Sequence, residues 1–188
     1  MWHTLFVMTG MEDHVMEFLN QRVSRHSRDA HYKVFHPTRK LAHLNRGKKT
    51  IVSKALFPGY LFFKTEDTDY FKSVLRDCTK HLTILRGIDF SFETMRQDEI
   101  DGIMLLLSES GEIDFSGGIV EHDKVRIVSG PLMNYCGEII KINKRECKAK
   151  IQLNFMGKEI TPYVGLNVLD KIADEELLNA RDFHFARK

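Results

Sequence analysis

The chain has 188 residues, 43% of them hydrophobic and 29% charged, and a formal net charge of +2. That length accommodates one domain or two small ones, and the composition is that of a globular protein rather than a disordered or collagen-like one. No run reaches the roughly 18 apolar residues of a membrane span, the start lacks a basic n-region and cleavage site, and three cysteines without a Cys-x-x-Cys spacing suit a reducing cytoplasm better than a structural zinc.

Residues 2–8 alternate loosely and carry aromatic and β-branched side chains, which predicts a first strand. Met11, Val15, Phe18, Leu19 and Val23 follow at near-helical spacing, behind Glu12 and Asp13 in the first turn. Residues 31–38 read as a short strand ending at Pro37. From Arg39 to Ala55 the chain is basic around an Asn45-Arg46-Gly47 turn signal, either a β-hairpin arm or a long loop. Residues 55–65 form an apolar strand interrupted by Pro58-Gly59. Residues 67–80 predict a second helix with Phe71, Val74, Leu75 and Cys78 on one face, and 82–88 predict another short strand. Thr94 and Gln97 have capping-box spacing ahead of a third helix whose expected inner face is Ile100, Ile103, Met104 and Leu107. The order β-α-β-β-α-β-α predicts an α+β fold whose amino-terminal domain, 1–107, is an α/β sandwich of helices on an antiparallel or mixed sheet.

Composition changes at 108–119, where Ser, Gly and acids replace periodicity, the pattern of a flexible linker. Short strands with glycine turns follow over 120–173 and predict a small β-barrel. Ala149, Ile151, Leu153 and Phe155 share one face there, and Lys148, Lys150, Gln152 and Asn154 the other. Residues 174–188 predict a short helix with a frayed end.

No catalytic motif is legible: there is no Gly-x-Ser-x-Gly, no Gly-x-Gly-x-x-Gly and no convincing carboxylate pair. His31 and His36 lack a third ligand at usable spacing, so no metal is expected, and Gly47–Thr50 lacks the preceding glycine of a phosphate loop. The expectation is a monomeric binding protein with no cofactor and no membrane contact. Two features carry chemistry. Residues 31–65 contain no acid and eight Lys or Arg, and 141–158 carry six against Glu146 alone. Such segments neutralise phosphates, unless they are simply solvated faces. In the first segment the candidate phosphate-facing cations are Arg39, Lys40, Arg46, Lys48, Lys49 and Lys54. In the second part of the chain they are Lys124, Arg126, Lys141, Lys144, Arg145, Lys148 and Lys150, with Tyr135 available to stack an unpaired base. Phe155 lies in register with the core face. The second feature is the broken apolar strand. Proline and glycine are poor in a central strand but suit a shaped concavity, where Phe57 and Tyr60, with Phe6 and Phe62, can anchor a partner helix.

Trp2 at the start, Pro37 after the second strand, and the basic run leading into Phe57-Pro58-Gly59-Tyr60 together resemble the amino-terminal domain of NusG-type transcription elongation factors, from Trp2 to about Leu107. Residues 123–172, with "VRIVSGPLMNYCGEIIKIN", resemble the KOW motif of that family's carboxy-terminal barrel. Asn134 stands where the usual pattern has glycine, a substitution the left-handed region tolerates. The resemblance implies docking on the clamp helices of the largest RNA polymerase subunit through Phe6, Phe57, Pro58, Gly59, Tyr60 and Phe62, with the basic arm near upstream or non-template DNA. The Lys- and Arg-rich barrel is most similar to the LoaP antiterminators, which implies recognition of a leader RNA hairpin. Two alternatives stand beside it: a housekeeping elongation factor whose barrel binds Rho or a ribosomal protein, and a translation-associated RNA-binding protein without polymerase contact.

Overall fold

A computed structural model describes residues 1–26, 34–45, 48–81, 92–122 and 124–169. β1 (Trp2–Phe6) lies between β5 (Tyr60–Lys64) and β6 (Phe92–Thr94), and β2 (Val34–Phe35) flanks β5, giving a four-stranded antiparallel sheet in the order β2-β5-β1-β6. Period-two alternation divides its side chains between two cores. Leu5, Leu61 and Phe63 face α1 (Glu12–His26) and α2 (Thr68–His81), where Val15, Leu19, Phe71 and Leu75 complete a buried cluster. Phe62 and Phe35 face the other way, toward Ile100 and Ile103 of α3 (Gln97–Met104).

The basic segment resolves as a hairpin. β3 (Thr38–Asn45) and β4 (Lys48–Ala55) pair in register from Thr38↔Ala55 to Asn45↔Lys48, and β7 (Glu112–Ile113) runs parallel beside β3. The carboxy-terminal half is a curled sheet in the order β10-β11-β14-β8-β9, built from β8 (Ser116–Glu121), β9 (Lys124–Ser129), β10 (Ile139–Asn143), β11 (Lys148–Ile151) and β14 (Tyr163–Leu169). A short hairpin, β12 (Leu153–Phe155) with β13 (Lys158–Ile160), projects from it.

Several expectations change. The stretch expected as a linker holds β7 and most of β8. Gly118 is there because β9 passes too close for a side chain: a Cβ would come within 2.9 Å of Val125 Cγ1 and 3.3 Å of Arg126 O. The N-cap of α3 is Arg96, whose N–H donates to Glu99 Oε2 at 3.4 Å, while Thr94 ends β6 and meets His3 Nδ1 at 3.2 Å. Met104 is exposed, and Leu106 is buried in its place. Asn134 ends a 3-10 turn, Pro131–Asn134, and the positive φ falls on Gly130. The strand expected at 82–88 and the helix expected at 174–188 lie outside the described residues.

The two halves share a core. Phe35, Leu56, Phe57, Phe62, Ile100 and Ile103 of the first half form one continuous buried cluster with Leu153, Phe155, Val164 and Leu166 of the second. Gly157 N–H donates to the buried Glu99 carboxylate at 2.8 Å, and Lys49 Nζ reaches Asn167 Oδ1 at 2.9 Å. A Cβ at Gly165 would lie 2.8 Å from Lys40 O, so the hairpin and β14 are in backbone contact.

Candidate functional site

The interruption at Pro58-Gly59 is a turn. Tyr60 N–H donates to Phe57 O at 3.2 Å, and Gly59 has φ +83°. Proline second and a left-handed glycine third are the requirements of a type II turn. Gly59 O accepts from Val7 N–H at 2.8 Å, and Gly59 N–H donates to Glu12 Oε1 at 2.8 Å. The other oxygen of that buried carboxylate accepts from Gly10 N–H at 2.6 Å. Burial pushes the Glu12 carboxyl upward, but the backbone N–H donors outweigh it, and its pKa falls below the ordinary value. Glu12 therefore ties the start of α1 to the turn. Its helical position was plain in the sequence, but nothing in the pattern pointed to a bond 47 residues away.

The turn assembles an aromatic seat. Phe6 is 52% exposed and meets Tyr60 edge-on at 5.4 Å. Pro58 is exposed, and Tyr60 half-buried. Phe62 is fully buried and supports Phe57 from beneath, stacked at 5.3 Å. Phe57 is only 3% exposed, with Phe155 stacked on it at 4.2 Å. The same Phe155 ring meets Tyr60 edge-on at 5.1 Å and Phe62 at 5.7 Å. The periodicity of 149–155 places Phe155 inward correctly, but the core it enters belongs to the other half of the chain.

Beside the rings a cleft of about 370 Å³ runs between Phe57, Pro58 and Tyr60 on one side and Phe155, Ile160 and Pro162 on the other. Arg39 also lines it. Its Nε and Nη1 are buried without a hydrogen-bond acceptor, and burial lowers its pKa.

The other basic residues divide. Lys40 pairs with Asp114 at 3.1 Å and Glu112 at 3.6 Å, and Lys49 bonds Asn167. Lys48 and Lys54 are exposed, and Arg46 lies outside the described residues. In the second half Arg126 is held by both oxygens of Glu121 at 2.8 Å, and Lys148 pairs with Glu146 and lies 4.4 Å from the Tyr163 ring. Lys141 stands directly opposite Lys150, next to the exposed Lys144 and Arg145 of the β10–β11 turn. Lys124 and Arg126 are on β9, at the far edge of the sheet order from β10, so the seven do not form one strip. Tyr135 Oη donates to Gln152 O and its ring is partly buried, which makes it a structural residue in this arrangement. No helix is long and apolar enough to cross a membrane, and no cluster of three or more metal-ligating side chains occurs, among the described residues.

Residues 1–104 match the family model described as "Transcription termination factor nusG". The "Transcription termination/antitermination protein NusG" of Thermus thermophilus is 29% identical over 168 residues, covering 84% of this chain and 91% of that protein. The Bacillus subtilis protein of the same description is 25% identical, covering 91% of this chain and 98% of its own. A solved structure, "Domain interaction in Thermotoga maritima NusG", aligns over 87% of this chain at 17% identity with a TM-score of 0.44.

Proposed function

The chain belongs to the NusG family of transcription termination and antitermination factors, and from that premise we propose that it is a polymerase-docking factor whose docking seat is covered by its own carboxy-terminal half. The observation that carries this is the Phe155 ring stacked at 4.2 Å on Phe57, within the aromatic cluster of Tyr60 and Phe62. An aromatic concavity that accepts an aromatic plug from its own chain can accept an apolar helix tip in its place. The partner would be the clamp helices of the largest RNA polymerase subunit, with Phe6, Pro58 and Tyr60 at the rim and Phe57 exposed on opening. Phe62 would support the seat from below and Gly59 would shape it. Because the seat cannot hold both occupants, docking selects the open state. Bound there, the factor would favour the closed clamp and suppress pausing. Such a role places it in the cytoplasm.

For the released half we propose LoaP-type binding of a leader RNA hairpin, through Lys141, Lys150, Lys144 and Arg145. Like charges directly opposite in a sheet are unfavourable unless an anion lies across them, and Lys141 faces Lys150. Lys48 and Lys54 on the arm remain available to upstream or non-template DNA. The housekeeping reading, with a barrel that binds Rho or a ribosomal protein, has its own support: Arg126 and Lys148 are already neutralised by Glu121 and Glu146. Titrating core RNA polymerase with the full chain and with a Phe6→Ala/Tyr60→Ala variant tests the seat. The double variant should bind at least about tenfold more weakly. Equal affinity would move the docking site elsewhere.

A further inference from the structure

β3 presents a cation that the closed molecule does not balance. Arg39 lines the cleft beside Phe57 and Tyr60, with Nε and Nη1 buried and without an acceptor. Its cross-strand neighbour on the same face of the hairpin is Lys54, a second cation. Asp114 and Glu112 pair with Lys40, the next residue along β3 and so on its opposite face. Arg39 is half-buried, and burying part of a guanidinium without an acceptor is unfavourable, to which a like charge across the strand pair adds. Closing the cleft with Phe155, Ile160 and Pro162 brings aromatic and aliphatic surface to Arg39 but no carboxylate. In the closed state Arg39 Nε and Nη1 are thus left without an acceptor.

We propose that Arg39 reads charge for the docking seat: the helix that replaces the Phe155 plug presents a carboxylate that pairs with the Arg39 guanidinium at the edge of the aromatic rings. This rests on the docking reading above and adds a chemical requirement to it. An apolar tip fills the seat, and an acidic side chain on the same helix answers Arg39. A guanidinium presents a planar fork that matches a carboxylate with two parallel hydrogen bonds, which gives orientation as well as attraction. Its place beside Phe57, Pro58 and Tyr60, where the helix tip would sit, favours a protein carboxylate; the same fork also fits a phosphate, and the DNA arm of the experiment below separates the two. Arg39 differs in this from Lys48, Lys49 and Lys54, which are exposed on the same hairpin.

The test must separate direct contact from an effect on closing, since removing an unpaired buried charge also favours the closed form. Full-length Phe155→Ala, in which closing is weakened, serves as the parent. Its affinity for core RNA polymerase is measured with Arg39 intact and with Arg39→Gln and Arg39→Lys, in the absence and presence of upstream duplex DNA. Arg39→Gln should lose at least about tenfold with or without DNA, the scale of a charge-assisted hydrogen-bonded pair, and Arg39→Lys should recover part of it. Changing the acidic residues of the polymerase helix to Gln one at a time should identify one that abolishes the effect of Arg39→Gln. Unchanged affinity in Arg39→Gln overturns this inference and leaves the seat intact. A loss seen only with DNA assigns Arg39 to a phosphate and also overturns it. If the Phe155→Ala parent does not bind polymerase, the docking reading fails and this inference fails with it.

Discussion

Phe155→Ala is the perturbation that bears most directly on the covered seat. The ring is 7% exposed and contacts three aromatic partners across the junction of the two halves. Truncating a buried phenylalanine costs about 3–5 kcal/mol. Part of that belongs to the carboxy-terminal half alone, so about 3 kcal/mol is assigned to closing. At 1.4 kcal/mol per decade, the closed-to-open ratio falls about 150-fold. A ligand that binds only the open state has an apparent Kd equal to the intrinsic value divided by the open fraction. The shared core of the two halves makes that fraction small in the parent chain, so affinity for core polymerase should rise about a hundredfold in the variant. Small-angle scattering measures opening independently, as a larger radius of gyration at unchanged circular dichroism. A variant that stays folded and opens, yet binds polymerase no better than the parent, would refute the argument that Phe155 and polymerase compete for one seat.

Gly59→Ala places a Cβ 3.1 Å from Phe6 Cε2 and 3.1 Å from Val7 O, at φ +83°; stability should fall by about 1–3 kcal/mol in urea unfolding, with polymerase affinity lost in proportion to the distorted rim. Glu12 has a depressed pKa in the folded chain, so its contribution is full above the ordinary value of 4.5 and is lost as the pH drops through the lower folded value. Unfolding free energy of the parent should therefore decline on acidification below about pH 5, and Glu12→Gln should start about 2 kcal/mol lower and show a flatter decline. Gly165→Ala meets Lys40 O at 2.8 Å, and should separate the halves, again read by scattering, without unfolding the amino-terminal sheet. Lys144→Ala/Arg145→Ala/Lys150→Ala should reduce hairpin RNA affinity at least about tenfold at low salt and flatten the salt dependence by up to three ion releases; an unaltered slope would leave those cations as a solvated edge.

Much of this arrangement is legible from the chain because local rules decide it. The two apolar periodicities locate β1, α1, β5 and α2, and Pro58-Gly59 marks a break in the apolar strand, which the structure resolves as a turn with proline second and glycine third. Where the readings depart from the structure, the deciding contact is distant. Residues 108–119 look like a linker because Ser, Gly and acids replace periodicity, yet a residue without a side chain at Gly118 is what the closely passing β9 requires. Arg96 caps α3 through the carboxylate of Glu99, and that same carboxylate also receives Gly157 N–H from the other half of the chain. Spacing alone could not choose between Thr94 and Arg96.

Phe155 and Arg39 illustrate a limit of periodicity and show why the junction matters. Alternation states that Phe155 points inward, and it is silent on which interior. A small curled sheet has little core of its own, so it gains stability by lending Phe155 to the amino-terminal half. The same alternation groups Arg39 with the basic hairpin, although its place in the cleft is unlike that of Lys48 or Lys54. These two residues act in opposite senses on closing: the ring is favourable in the cleft, and the guanidinium without an acceptor is unfavourable there. A seat built only from apolar residues would hold its own plug as tightly as any apolar partner. An unpaired cation at its edge weakens the internal occupant and favours an acidic external one, so discrimination between the two occupants rests on charge as well as on shape.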